Sequence, residues 1–254
     1  MSRFGSSRIW RAIAVAWGLS LTCLPTELIA GSVNSLGVAE GASRSEEPFG
    51  ISTAKVTTGV LLEKWLVVER EIDAERLVLK ICEENRASCR SQAALEFLAI
   101  VDSGRILGGR AQLGEINRAI NLKITPMSDL ALYGTEDFWS SPLATFTKGA
   151  GDCEDYAIAK FVALRLAGMS PDDLRIVVLR DTINGEGHAV AMARLDQHWL
   201  TLDNRRMAMV EDTDVRNIRP LFVIDENDVM KYVDTAPAMV LNYATQPGLI
   251  SPSN

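Results

Sequence analysis

The apolar pattern of the chain changes its period at Gly168, and that change limits the fold more than any other feature. Before it, Leu61, Leu62, Trp65, Val68, Ile72, Leu77 and Ile81 recur at helical spacing among charged residues between Val60 and Ile81. Further helical stretches run from Ser91 to Asp102 and from Leu113 to Leu122. The strongest is "CEDYAIAKFVALRLAG", Cys153 to Gly168, with apolar side chains at Ala157, Ile158, Phe161, Val162, Leu164 and Leu166 and a glycine as its stop. Ser170, Pro171, Asp172 and Asp173 suit one more helical turn. Beyond it lie three strand-like runs, "LRIVVLR" at 174–180, "HAVAMARL" at 188–195 and "HWLTLDN" at 198–204. Helices first, then a helix and an antiparallel sheet, is an α+β order. Gly134, Pro142, Gly149 and Gly151 mark "YGTEDFWSSPLATFTKGAG" as a long connection that ends just before Cys153.

With 254 residues, 47% of them apolar, the chain has material for one large domain or two small ones. Its net charge of −7 argues against a nucleic-acid partner, because phosphate binding needs a basic face that this composition does not supply. Residues 1–30 read as an export signal: Arg3, Arg8 and Arg11 precede the apolar run Ala12 to Leu24, which is too short for a membrane span, and Pro25 breaks it. Cleavage is expected after Ala30 or Ala39, with an uncleaved anchor as the alternative, and a periplasmic location follows. Residues 31–58 are small and polar and read as a flexible N-terminal segment, which leaves 59–254 as the domain.

Export removes Cys23 and places Cys82, Cys89 and Cys153 in an oxidising compartment. In an unbroken helix Cys82 and Cys89 lie about 10 Å apart along the axis, beyond disulfide reach. A bond between them therefore needs a break within "CEENRASC"; two reduced thiols are the alternative. Cys153 is the odd one.

Histidine chemistry has two candidates, His188 and His198, and register separates them. A tight hairpin turn at Asp196 and Gln197 sets Leu195 opposite His198, Val190 opposite Asp203 and His188 opposite Arg205. His188 and Asp203 then share a sheet face as diagonal neighbours, about 7 to 8 Å apart at the backbone. His198 falls on the other face beside the turn, a place for a solvated or packing side chain. Cys153 opens the strong helix, where the helix dipole and a nearby imidazole both favour a thiolate. Cys153, His188 and Asp203 thus supply a nucleophile, a base and an orienting carboxylate, with the Cys153 N–H available to an oxyanion. A buried cysteine and a hairpin aspartate are also common packing features.

"GAGDCEDYAIAK" at 149–160, with "GHAVA" at 187–191 and "LTLDN" at 200–204, resembles the bacterial transglutaminase-like cysteine proteinases, the LapG-type periplasmic peptidases. "EINRAIN" at 115–121 and "LYGTEDFWSSP" at 132–142 extend the resemblance over most of the chain beyond the signal. It implies a papain-like or transglutaminase-like α+β core and a Cys153, His188, Asp203 triad. It further implies a protein substrate, a large cell-surface adhesin whose cleavage affects attachment and biofilm, and an inner-membrane cyclic di-GMP receptor as inhibitor.

The resemblance also implies Ca²⁺ beside the nucleophile, on Asp152, Glu154 and Asp155. Hard cations take six to eight oxygen ligands, so three side chains would leave the shell incomplete, and these acids also suit simple capping of the helix. The sequence departs from the family at Pro142: a glutamate usual two residues later is replaced by Ala144. Trp139 is expected in the core, with a substrate channel as the alternative. Three further functions share these residues: acyl transfer or amidase chemistry on the same triad, a non-catalytic calcium- or partner-binding module, and a zinc site. The zinc site is disfavoured because no Cys or His pair has the usual short spacing.

Overall fold

A computed structural model describes residues 46–233. The expected signal at 1–30, both cleavage sites and the end of the chain lie outside those residues.

Strand β1 (Thr53–Lys55) leads into the long helix α1 (Val60–Glu84), followed by α2 (Gln92–Arg105) and α3 (Gly109–Lys123). Ser91 caps α2 by accepting from the Ala94 N–H at 3.1 Å. Asn85 ends α1 in an extended conformation, and this break lets Cys82 and Cys89 form a disulfide with Cα atoms 4.6 Å apart. Then come β2 (Thr125–Pro126), the short helices α4 (Asp129–Tyr133) and α5 (Pro142–Lys148), and β3 (Ala150–Gly151), which pairs with β2 in parallel. Helix α6 (Cys153–Leu166) is followed by a 3-10 turn at Pro171–Asp173 and by β4 (Leu174–Asp181), β5 (Gly187–Leu195) and β6 (His198–Leu202). The chain continues through β7 (Val210–Glu211), β8 (Ile218–Ile224) and β9 (Val229–Tyr232).

The main sheet is antiparallel throughout, in the order β1-β9-β8-β4-β5-β6-β7. Every residue of α6 from Glu154 to Leu164 is buried, so this helix runs through the core between the other helices and the sheet. Along β5, Ala189, Ala191 and Ala193 point toward the helices, while Val190 and Met192 join Val177, Leu179, Trp199, Val223 and Tyr232 in a second core on the opposite face. The alanine row is small enough for α6 to lie close to the sheet.

Three expectations need correction. Residues 46–58 do not form a linker: Pro48 is buried, Glu47 pairs with Arg175 through contacts of 2.8 and 2.9 Å, and β1 pairs with β9 as an edge strand. The connection before Cys153 contains α4 and α5. The Pro and Gly that suggested a loop are the N-terminal proline of α5 and its left-handed C-cap, Gly149 at φ 67°. The sheet also extends beyond three strands. β8 carries Pro220, which argues against a strand in sequence; here the register against β4 shifts between Val178 and Leu179, and the proline falls at that irregularity.

Candidate active site

The hairpin turn at Asp196 and Gln197 has positive φ at both residues, 50° and 68°, the form that matches strand twist. Leu195 faces His198 and Ala191 faces Leu202, so the expected register holds and His188 and Asp203 share a face. His188 Nε2 and Asp203 Oδ1 are 2.9 Å apart, and both residues are buried. Asp203 Oδ1 also accepts the Arg205 N–H at 2.9 Å. Burial pushes the Asp203 carboxyl up, but the His188 bond and charge, the Arg205 N–H and the charge of Lys160 outweigh it and hold the group below its ordinary range. An ionised Asp203 places the imidazole proton on Nε2. His188 Nδ1, buried and without a hydrogen-bond partner, is left as the basic nitrogen.

Cys153 is the first residue of α6 and half-buried. The N–H of Ala189, next to His188 in the chain, donates to its Sγ at 3.4 Å, which brings helix and strand together at the reacting atoms. The thiol in turn donates to Glu154 Oε2 at 3.2 Å. Burial, then the Glu154 charge, pushes the thiol above its ordinary range.

The acids gather differently from the expected set. Asp152 and Asp155 bring carboxylate oxygens within 4.8 Å of one from Asp129, a residue of α4, whereas Glu154 groups with Cys153 and Asp152 and, separately, with Asp129 and Asp137. Burial and mutual repulsion raise Asp129, raise Asp155 to about 7 and raise Glu154. Asp155 accepts the Ser140 N–H at 2.9 Å and the Asp152 N–H at 3.4 Å as part of a capping box. Asp129 Oδ1 and Asp152 Oδ1 are buried without a hydrogen-bond partner. Orphaned oxygens among clustered carboxylates fit a hard cation. Pure helix capping describes this arrangement less well, and Asp129 is an acid beyond the expected three, whose shell the sequence left incomplete.

Several supporting residues carried no sequence signal of their own role. In the "EINRAIN" stretch of α3, Asn121 Nδ2 donates to Asp203 O at 2.9 Å and Asn117 Nδ2 to Met207 O at 3.1 Å, fixing the loop after β6. Glu75 of α1 receives Ser141 Oγ at 2.6 Å, Leu143 N at 3.0 Å and Ala144 N at 3.2 Å, and so caps α5 from another helix. Trp139 is buried and its Nε1 donates to Asp137 at 3.0 Å, a packing and positioning role. His198 is exposed, with Nδ1 3.5 Å from Glu211.

A family model described as bacterial transglutaminase-like cysteine proteinase matches residues 76–219. Among solved structures, Legionella pneumophila LapG is similar at 22% identity with a TM-score of 0.51, over 61% of this chain and 86% of that one. Its calcium-bound form gives the same values. Its EGTA-treated form gives 21% identity and a TM-score of 0.52 over 64% and 87% of the two chains. At these identities the likeness concerns the fold. A search of curated proteins finds no match.

Proposed function

The chain belongs to the bacterial transglutaminase-like cysteine proteinases, and we propose that it is a calcium-dependent endopeptidase using Cys153, His188 and Asp203. The observation that carries this reading is the buried His188–Asp203 contact at 2.9 Å, with the Ala189 N–H on Cys153 Sγ.

His188 Nδ1 takes the Cys153 proton, and the sulfur attacks the scissile carbonyl carbon. The oxyanion forms beside the Cys153 N–H, a donor of the first turn of α6, where N–H groups have no partner within the helix. The imidazolium, held by Asp203, then protonates the leaving amine, and water deprotonated by the same nitrogen hydrolyses the thioester. Asp129, Asp152 and Asp155 would hold the cation, with Glu154 or Asp137 beside it. Ca²⁺ bound there would offset the negative charge that opposes thiolate formation.

Export to the periplasm and a large cell-surface adhesin as substrate follow the family resemblance of the glycine-flanked "DCED" box and the signal-like residues 1–30. An inner-membrane receptor as inhibitor belongs to the same reading. The test incubates the purified protein, with Ca²⁺ or EGTA, with surface proteins of its own host and maps the fragments. Cleavage is expected only with Ca²⁺ and only with Cys153 present; fragments from C153A would sink the assignment. Acyl transfer to an added amine, without new peptide ends, would favour the transferase alternative.

A further inference from the structure

Helix α6 presents a second side chain to the His188–Asp203 pair. Lys160 lies about two turns beyond Cys153 and is fully buried. Its Nζ donates to the Leu202 carbonyl at 3.1 Å and lies 5.7 Å from the centre of the Tyr156 ring. Leu202 is the last residue of β6, and the next residue is Asp203. On the other side of that peptide, Asn121 of α3 holds the Asp203 carbonyl.

An ammonium in this position is costly. It has three donors and pays for desolvation, whereas methionine would fill a similar volume without either demand. Burial accordingly pulls the Lys160 pKa down to about 7, against the opposing pull of Asp203. The charged groups facing Asp203 are His188, Lys160 and Arg206, the last with Nε 3.9 Å from Oδ2. Arg206 is exposed and screened by water, so the buried cation has the stronger hold on that carboxylate.

We propose that Lys160 is a positioning residue of the active site: it ties the strand end bearing Asp203 to the helix bearing Cys153 and keeps Asp203 ionised against His188. This rests on the triad reading above. A structural filler at this place would need only volume; a charged tether makes the imidazole's orientation depend on the ammonium.

The experiment uses the full chain with Ca²⁺ present and two variants, K160M and K160Q, with iodoacetamide alkylation read at Cys153 by peptide mapping and melting as the test of folding. In the parent, alkylation at low pH depends on the thiolate–imidazolium pair and shows an acid limb. In each folded variant the rate near pH 6 is expected to fall roughly tenfold or more, the scale of a misplaced reacting group. The acid limb moves to higher pH, because Asp203 loses a favourable charge and protonates earlier. With a cleavable protein substrate, kcat falls and KM stays. Either folded variant with the parent's rate and acid limb overturns the proposal. A parent whose Cys153 reacts as an ordinary thiol without an acid limb overturns the triad reading first, and this role with it.

Discussion

At the scale of single residues, the hairpin parity was legible because side-chain alternation is strict and the turn has two residues; His188 and Asp203 followed from counting. Asp129 was not legible: it lies 23 positions before Asp152, in no recognisable spacing, and only the fold of α4 brings it to the cluster. Two predictions belong here. A Cβ on Gly151 would lie 2.5 Å from Asp155 Oδ2 and 2.8 Å from Asp155 Cβ, so G151A must displace that side chain. The expected outcome is loss of the Ca²⁺-induced rise in melting temperature, measured with and without EGTA. The second concerns pH. Lys160 titrates at about 7 in the folded chain and near 10.5 otherwise, so the unfolded chain holds more protons at this residue between those values. Its contribution to stability is complete above that window and is lost as pH falls through about 7. K160M should therefore raise the melting temperature most at or below neutral pH and least near pH 10, by scanning calorimetry.

At the scale of elements, the long periodic helices were read within a few residues, because amphipathic periodicity over many turns is hard to mimic. The turn at Pro171–Asp173 was legible from its Ser-Pro-Asp-Asp start, but other short elements escaped. The seven residues of α5 take their boundaries from a proline and a left-handed glycine, the residues that also punctuate loops. The bulged β8 breaks the strand pattern with Pro220. The Cys82–Cys89 bond required the break in α1 that the sequence could state only as a condition. Breaking it by C82S/C89S should cost about 2 kcal/mol, the expected scale for so short a loop, and dithiothreitol should lower the parent's melting temperature to that of the variant. Where α2 crosses α3, a Cβ on Gly104 would meet Ile116 Cδ1 at 2.5 Å. G104A should destabilise by roughly 1–3 kcal/mol in urea melts, and a second change, I116A, should recover part of the loss.

For the whole molecule, the α+β order was set by the change of period at Gly168, but the extent of the folded body was not. The polar composition of residues 46–58 concealed an edge strand whose cross-sheet partners lie about 180 positions later, contacts that no local pattern reveals. The carboxylate of Glu75 has a related consequence. The family model begins at residue 76, one position beyond the side chain that caps α5 and inside a helix whose Trp65, Val68 and Ile72 belong to the core. The border of the family model therefore runs through the middle of a physical unit. A chain started at residue 76 would keep every residue of the DCED box and both partners of the imidazole contact, yet it should be expressed as an insoluble or molten species. Circular dichroism would read the loss of near-ultraviolet signal, and a version begun at residue 46 should recover it. Domain borders drawn from likeness alone would here discard the part that keeps the nucleophile's loop in shape.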